Sequence, residues 1–226
     1  MRRTVQDELL DQDLGTPAEV ADSLRDLRMF NRYFGGIRAG HRLLRRVARA
    51  TAATRLSLLD VGSASGDVAT ALRRRLAREG VELSLTLLDR VASHFDGRNG
   101  HGDARRVQGD ALALPFRDAA VDVVNCGLFA HHLESDELVA FLNDALRVAR
   151  HAVVINDVCR SPVHLALVYA GLPLYASRLT RHDAPASVRR AYTAGEMRAI
   201  VERTQAHRVE YSRHYLYRLG VIAWKR

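Results

Sequence analysis

The sequence predicts an α/β domain: helices wound on both faces of a seven-stranded sheet, mostly parallel, with an antiparallel hairpin at its C-terminal end and a helical segment in front of it. Three observations predict it. Short apolar runs alternate with longer stretches of 3.6-residue period, the mark of strands joined by crossover helices. The first run passes directly into a glycine turn, Asp60-Val61-Gly62-Ser63-Ala64-Ser65-Gly66-Asp67, and then into an amphipathic segment. The last two runs, about 207–213 and 217–224, follow each other with no helical stretch between them.

In chain order, Thr16-Pro17-Ala18-Glu19 is a helix start, with a capping threonine, proline in the first helical position and a glutamate reaching back. That helix is expected to run to about Met29 and to break across 31–36. A second helix, about 38–52, precedes the first strand, Leu56 to Leu59. Residues 1–53 read as a helical lid over substrate, and 54–226 as the core. The second strand is Leu83 to Leu88, the third spans about 105–111, and the fourth is Val121 to Gly127. Ser135-Asp136-Glu137 opens a helix whose Leu138, Phe141, Leu142, Ala145 and Leu146 keep a clear helical period. The fifth strand, 152–157, is almost continuously apolar, as suits a buried parallel position. Ser161-Pro162 starts an apolar segment to Ala176. Residues 178–191 read as a polar loop. Thr193-Ala194-Gly195-Glu196 is a second capping box, with a helix to about Thr204.

The chemistry sits at the strand ends. A glycine turn after a strand brings bare backbone against a ligand, because glycine has no Cβ and takes positive φ. Here the turn reads D-x-G-x-x-x-G. Asp89 ends the second strand. Gly109-Asp110-Ala111-Leu112-Ala113-Leu114-Pro115-Phe116 follows the third, and His131-His132-Leu133 lies beyond the fourth. Over about residues 54–160 this ordered set resembles the class I S-adenosylmethionine (SAM)-dependent methyltransferases, in the small-molecule branch that includes ubiquinone/menaquinone methylase-like enzymes. The resemblance implies a Rossmann-like fold and SAM as cofactor. It implies that Asp60, Gly62, Ser63 and Gly66 form the cofactor loop, with Arg90 and Cys126 beside it. Asp89 would hold the ribose, and Asp110 and Ala111 the adenine.

SAM carries an activated methyl group, so the protein needs to align a nucleophile, exclude water and take a proton. No metal is expected. The expected bases are His131 and His132, since imidazole titrates near neutral pH. Tyr33, Phe34, Arg160 and His182 are the candidate substrate contacts. The apolar 163–176 segment suggests an apolar acceptor, a phenol, quinol or polyketide aromatic, methylated on oxygen or carbon.

Of 226 residues, 47% are apolar and 27% charged, as in an ordinary globular domain. Two cysteines make no disulfide framework or metal spacing. No secretory signal is read at the N-terminus, and the longest apolar stretch is too short to span a bilayer; a cytoplasmic location is expected. The net charge of +8 comes from arginines spread along helix faces, with Lys225 the only lysine. That dispersion, without interleaved aromatics, makes nucleic acid an unlikely partner. An RNA methyltransferase and a non-catalytic SAM-binding protein are the alternatives. Oligomeric state and acceptor identity are left open.

Overall fold

The structure, a computed structural model, describes residues 1–12, 14–91 and 103–226. Seven strands form one sheet: β1 (Arg55–Val61), β2 (Glu82–Asp89), β3 (Arg105–Gln108), β4 (Val121–Gly127), β5 (Ala149–Val158), β6 (Arg208–His214) and β7 (Arg218–Trp224). Their spatial order is β3-β2-β1-β4-β5-β7-β6. The five strands from β3 to β5 are mutually parallel. β7 runs antiparallel to both β5 and β6. The expected hairpin is present, with its second strand inserted against β5 and its first at the sheet edge.

Strand side chains alternate between two cores, as the two-residue period requires. Leu59 and Val61 of β1 join Phe141, Leu142 and Leu146 on one face. Leu56 and Leu58 join Leu43, Leu44, Val47, Leu72 and Leu76 on the other. The first face is covered by α4 (Ser135–Val148) and α7 (Ala194–Val201), the second by α2 (Gly36–Ala50) and α3 (Asp67–Ala77). α2 therefore packs in the core beneath the sheet.

The cap over the sheet's carboxyl edge is built from the N-terminal residues, α1 (Pro17–Tyr33), α5 (Pro162–Gly171) and α6 (Arg178–Arg190). It has its own small core of Leu10, Val20 and Leu179. Polar contacts lock its parts together. The Asp26 carboxylate accepts from the Ala176 and Ser177 amides, and the Asp183 carboxylate from the Leu9 and Leu10 amides. Arg28 of α1 reaches Asp67 of α3 at 3.3 Å, tying cap to core.

Two expected boundaries move. α1 continues to Tyr33, because nothing between Met29 and Tyr33 breaks a helix, and the chain then turns at Gly35, φ 86°, into α2. A Cβ there would lie 1.8 Å from the Tyr215 carbonyl oxygen, so only glycine fits. The expected loop 178–191 is helix α6 despite Pro185 inside it. Ser177 caps it, accepting from the Leu179 amide, and Leu179, Ala186 and Val188 are buried beneath it. Tertiary burial overrides the weak intrinsic propensity. α7 is also shorter than expected, ending at Val201.

Among the described residues, no helix is long and apolar enough to cross a membrane. Phe141 is fully buried and packs edge-on to Phe129, 6.2 Å between ring centres, directly below the site. Phe141→Ala should lower the unfolding free energy by about 3–5 kcal/mol, measured by urea denaturation.

Candidate active site

The site lies where β1, β2 and β4 end together at the sheet's carboxyl edge. β1 is flanked by β2 on one side and β4 on the other, so successive crossovers leave in opposite directions and open a crevice. In the turn after β1, Gly62 has φ 66° and Gly66, which precedes α3, has φ 70°. A Cβ at Gly62 would meet the Phe129 ring at 2.8 Å. Ala64 also takes positive φ, 44°, which is costly for a residue with a side chain. It is held there because its amide donates to the Asp89 carboxylate at 2.7 Å. The other Asp89 oxygen accepts from the Val91 amide at 3.0 Å, and the Asp89 carbonyl accepts from Gly109 at 3.0 Å. One acid at the end of β2 thus ties together the loops after β1, β2 and β3.

Beside it, Asp60 is buried and accepts from Asn125 Nδ2 at 2.6 Å. Burial pushes its carboxyl up to about 6, against the Asn125 hydrogen bond, and the nearby Asp89 charge adds to the rise. Two buried acids on one crevice with bare backbone between them suit a ligand that brings positive charge. SAM, with its sulfonium and ammonium groups, fits that description. Asp110 is exposed at the rim, its carboxylate accepting from the Leu112 amide at 2.9 Å, and Ala111 is buried beside it.

A single cavity of about 1020 Å³ runs from this crevice beneath the cap. Asp60, Gly62, Ser63, Asp89, Arg90, Asp110, Ala111, His131 and His132 all line it, as do Tyr33 and Phe34. Tyr33 and Phe34 are largely exposed and stand at its mouth. Its far wall is apolar, with Leu24, Leu27 and Phe30 from α1, Leu167 and Val168 from α5, and Tyr175. Phe30 and Tyr175 meet edge to face at 4.9 Å.

Four expected site residues are placed elsewhere or in other work. Cys126 is fully buried in the core, off the cavity lining, and burial raises its thiol well above the usual range. Arg160 is buried away from the cavity, its guanidinium donating to Met1 O, Ala191 O and Glu196. It braces the cap. His182 also misses the cavity and pairs with Asp183 at 2.8 Å and Gln6 at 3.0 Å. Gly66 turns the chain into α3 without lining the cavity.

The two histidines form part of a buried polar cluster. They sit in a 3₁₀ turn, Ala130–His132, after β4. His131 donates Nδ1–H to Asp157 at 2.7 Å, while its own backbone amide reaches the other Asp157 oxygen at 2.9 Å. His132 stacks on Phe129, and its Nδ1 lies 2.6 Å from Asp11 Oδ2. Both Nε2 atoms face Glu8 Oε1, at 3.5 Å for His131 and 3.8 Å for His132. Burial alone would depress the His131 imidazole, but Asp157 and Glu8 outweigh it and push it up to about 10. His131 therefore favours its protonated form over the neutral one. For the same reason Asp157 and Glu8 titrate below their usual range, their burial overcome by the histidines.

Glu8, Asp11 and Asp157 had no signal in the sequence as site residues. Glu8 and Asp11 lie in a polar N-terminal stretch with no motif. Only folding that segment under α6, where Ser187 donates to Glu8 at 2.6 Å, brings them to the histidines.

Asp60 gives a testable pH dependence. An ordinary Asp loses its proton near 3.8, whereas the folded chain holds it to about 6. Between those values the native state binds the extra proton, so stability falls as pH rises through the window. Asp60→Asn removes that slope while keeping an oxygen for Asn125. Its advantage over wild type should grow by about 2.4 kcal/mol between pH 4 and 7, at about 1.4 kcal/mol per unit, followed by urea unfolding.

Residues 58–152 match the family described as "Methyltransferase domain". No curated protein matches the sequence. Solved structures share the fold at low identity. A SAM-dependent methyltransferase from Aquifex aeolicus is 18% identical with a TM-score of 0.55, covering 76% of this chain and 82% of that one. An O-methyltransferase family 2 protein from Planctomyces limnophilus, in complex with apigenin, is 16% identical with a TM-score of 0.62, covering 92% and 62%. PigF with SAH is 15% identical with a TM-score of 0.63, covering 96% and 61%. This chain therefore spans less than two thirds of the length of the latter two. The chain has the fold of the class I SAM-dependent methyltransferases, and its residues 58–152 are similar to the methyltransferase-domain family.

Proposed function

We propose that this protein transfers the methyl group of SAM to an oxygen or ring carbon of an apolar, hydroxylated small molecule. The observation that carries the reading is the continuity of the cavity. One space of about 1020 Å³ joins the acid-lined glycine turn to an apolar wall, with the histidine cluster on its surface. That volume is at the upper end for a single drug-sized ligand and leaves room for an acceptor beside a cofactor.

In this reading Asp89 accepts the ribose hydroxyls, Asp110 and Ala111 meet the adenine, and the Gly62 turn lies against the methionine part. The sulfonium supplies the leaving group. The protein's work is to align the acceptor, exclude water with the cap and accept its proton at the Glu8–His131–His132 cluster. The apolar wall from α1 and α5 selects an acceptor with little charge. The apigenin bound to the Planctomyces limnophilus protein, a polyhydroxylated aromatic, supports that class. A nucleic-acid substrate is disfavoured by the arginines themselves. Several are neutralised within the fold, Arg46 by Glu210, Arg147 by Asp144 and Asp118, and Arg150 by Asp122.

Labelled SAM incubated with a panel of phenols, quinols and tRNA tests the reading. Methyl incorporation into a phenol or quinol is expected; incorporation into tRNA alone would replace it with the RNA reading. Asp89→Ala should weaken SAM binding at least about tenfold, since it loses two charge-assisted hydrogen bonds. An unchanged dissociation constant would place the ribose elsewhere. His132→Ala should slow transfer roughly 10²–10⁴-fold with SAM affinity nearly unchanged.

A further inference from the structure

The Asp157 carboxylate engages His131 Nδ1, which leaves Nε2 as the ring nitrogen that faces the cavity. That atom is buried and has no hydrogen-bond partner, on a side chain only 3% exposed. What faces it is another Lewis base, Glu8 Oε1, at 3.5 Å. His132 brings a ring nitrogen to the same oxygen at 3.8 Å. One ligand atom from each of Glu8, His131 and His132 lies within 4.8 Å of the other two. Electron-rich atoms do not converge in a buried place unless something positive sits among them. The candidates are a proton or a metal ion.

The geometry favours the metal ion. Ligands about 2.1 Å from a tetrahedral zinc stand roughly 3.4 Å apart, close to the two measured contacts. The far nitrogen of His131 is also held as metal-binding histidines usually hold theirs, by a carboxylate. Asp157 takes His131 Nδ1, and Asp11 lies 2.6 Å from His132 Nδ1. Ser187 donates to Glu8, orienting the third ligand. A lone proton would need only one histidine and one acid.

We propose that Glu8, His131 and His132 bind one divalent first-row transition-metal ion, zinc-like in preference, at the wall of the acceptor cavity. Two imidazoles and one carboxylate select such ions over magnesium or calcium. An ion held there would lower the pKa of an acceptor hydroxyl in the cavity, and with the three side chains ligating the ion the released proton would pass to solvent at the cavity mouth. The inference rests on reading that cavity as the acceptor site, and deepens it.

The test is cobalt(II) titration of untagged, chelator-treated protein, followed by its visible absorption and by thermal melting. Wild type should take up one equivalent, show the intense bands of four- or five-coordinate cobalt and melt higher with the ion than without it. Glu8→Gln and His132→Asn, both close in shape to the residues they replace, should weaken uptake at least about tenfold; circular dichroism checks their fold. No saturable uptake by wild type, with unchanged melting, would overturn the proposal. So would bands that persist in both variants, since the ion would then sit elsewhere. SAM binding measured on the same preparation separates the two readings: lost cobalt binding with intact SAM binding overturns only the metal site, and lost SAM binding overturns the methyl-transfer reading.

Discussion

The Asp89 carboxylate is the constraint on which the site depends. It accepts the amide of Ala64 on one oxygen and of Val91 on the other. The first bond holds the turn after β1 in a positive-φ conformation that Ala64 would not choose alone. The second anchors the chain leaving β2. Because β1 and β2 pair in register from Arg55 and Glu82 up to Val61 and Leu88, Asp89 arrives level with that turn. Sheet register, loop conformation and ligand crevice are one arrangement.

The charges at the two ends of the cavity solve different problems. At the cofactor end, Asp60 and Asp89 are both buried, and the Asp89 charge adds to the cost of ionising Asp60. A bound cation relieves that cost, so the pocket is strained toward its ligand. At the other end, Glu8, Asp157 and Asp11 surround two histidines. Buried carboxylates are tolerated in both places because a counter-charge is part of the intended state.

The core of this fold was legible because it is locally encoded. The glycine turn, the apolar strand runs and the capping boxes at Thr16 and Thr193 each announce themselves within a few residues, and each is where the sequence puts it. The cap was legible only in part. α6 carries Pro185 and a polar face, so its helical state comes from packing on α1 and the N-terminal segment, which no local pattern reports. The same is true of Glu8 and Asp11, more than a hundred residues from the histidines they meet. Arg160 and His182 lie off the cavity lining for the converse reason. Residue type suggested chemistry, but their polar atoms are spent on the backbone and acids that hold the cap in place.

An acid-lined crevice that receives a cationic cofactor should give up a proton as the cofactor binds. Calorimetric titration with SAM near pH 6, in two buffers of different ionisation enthalpy, tests it most directly. Asp60 holds a proton over much of the population there, and a cation beside it expels that proton. The account predicts saturable one-to-one binding whose measured heat differs between the buffers by an amount that corresponds to net proton release. Absence of binding, or binding with identical heats in both buffers, would contradict it.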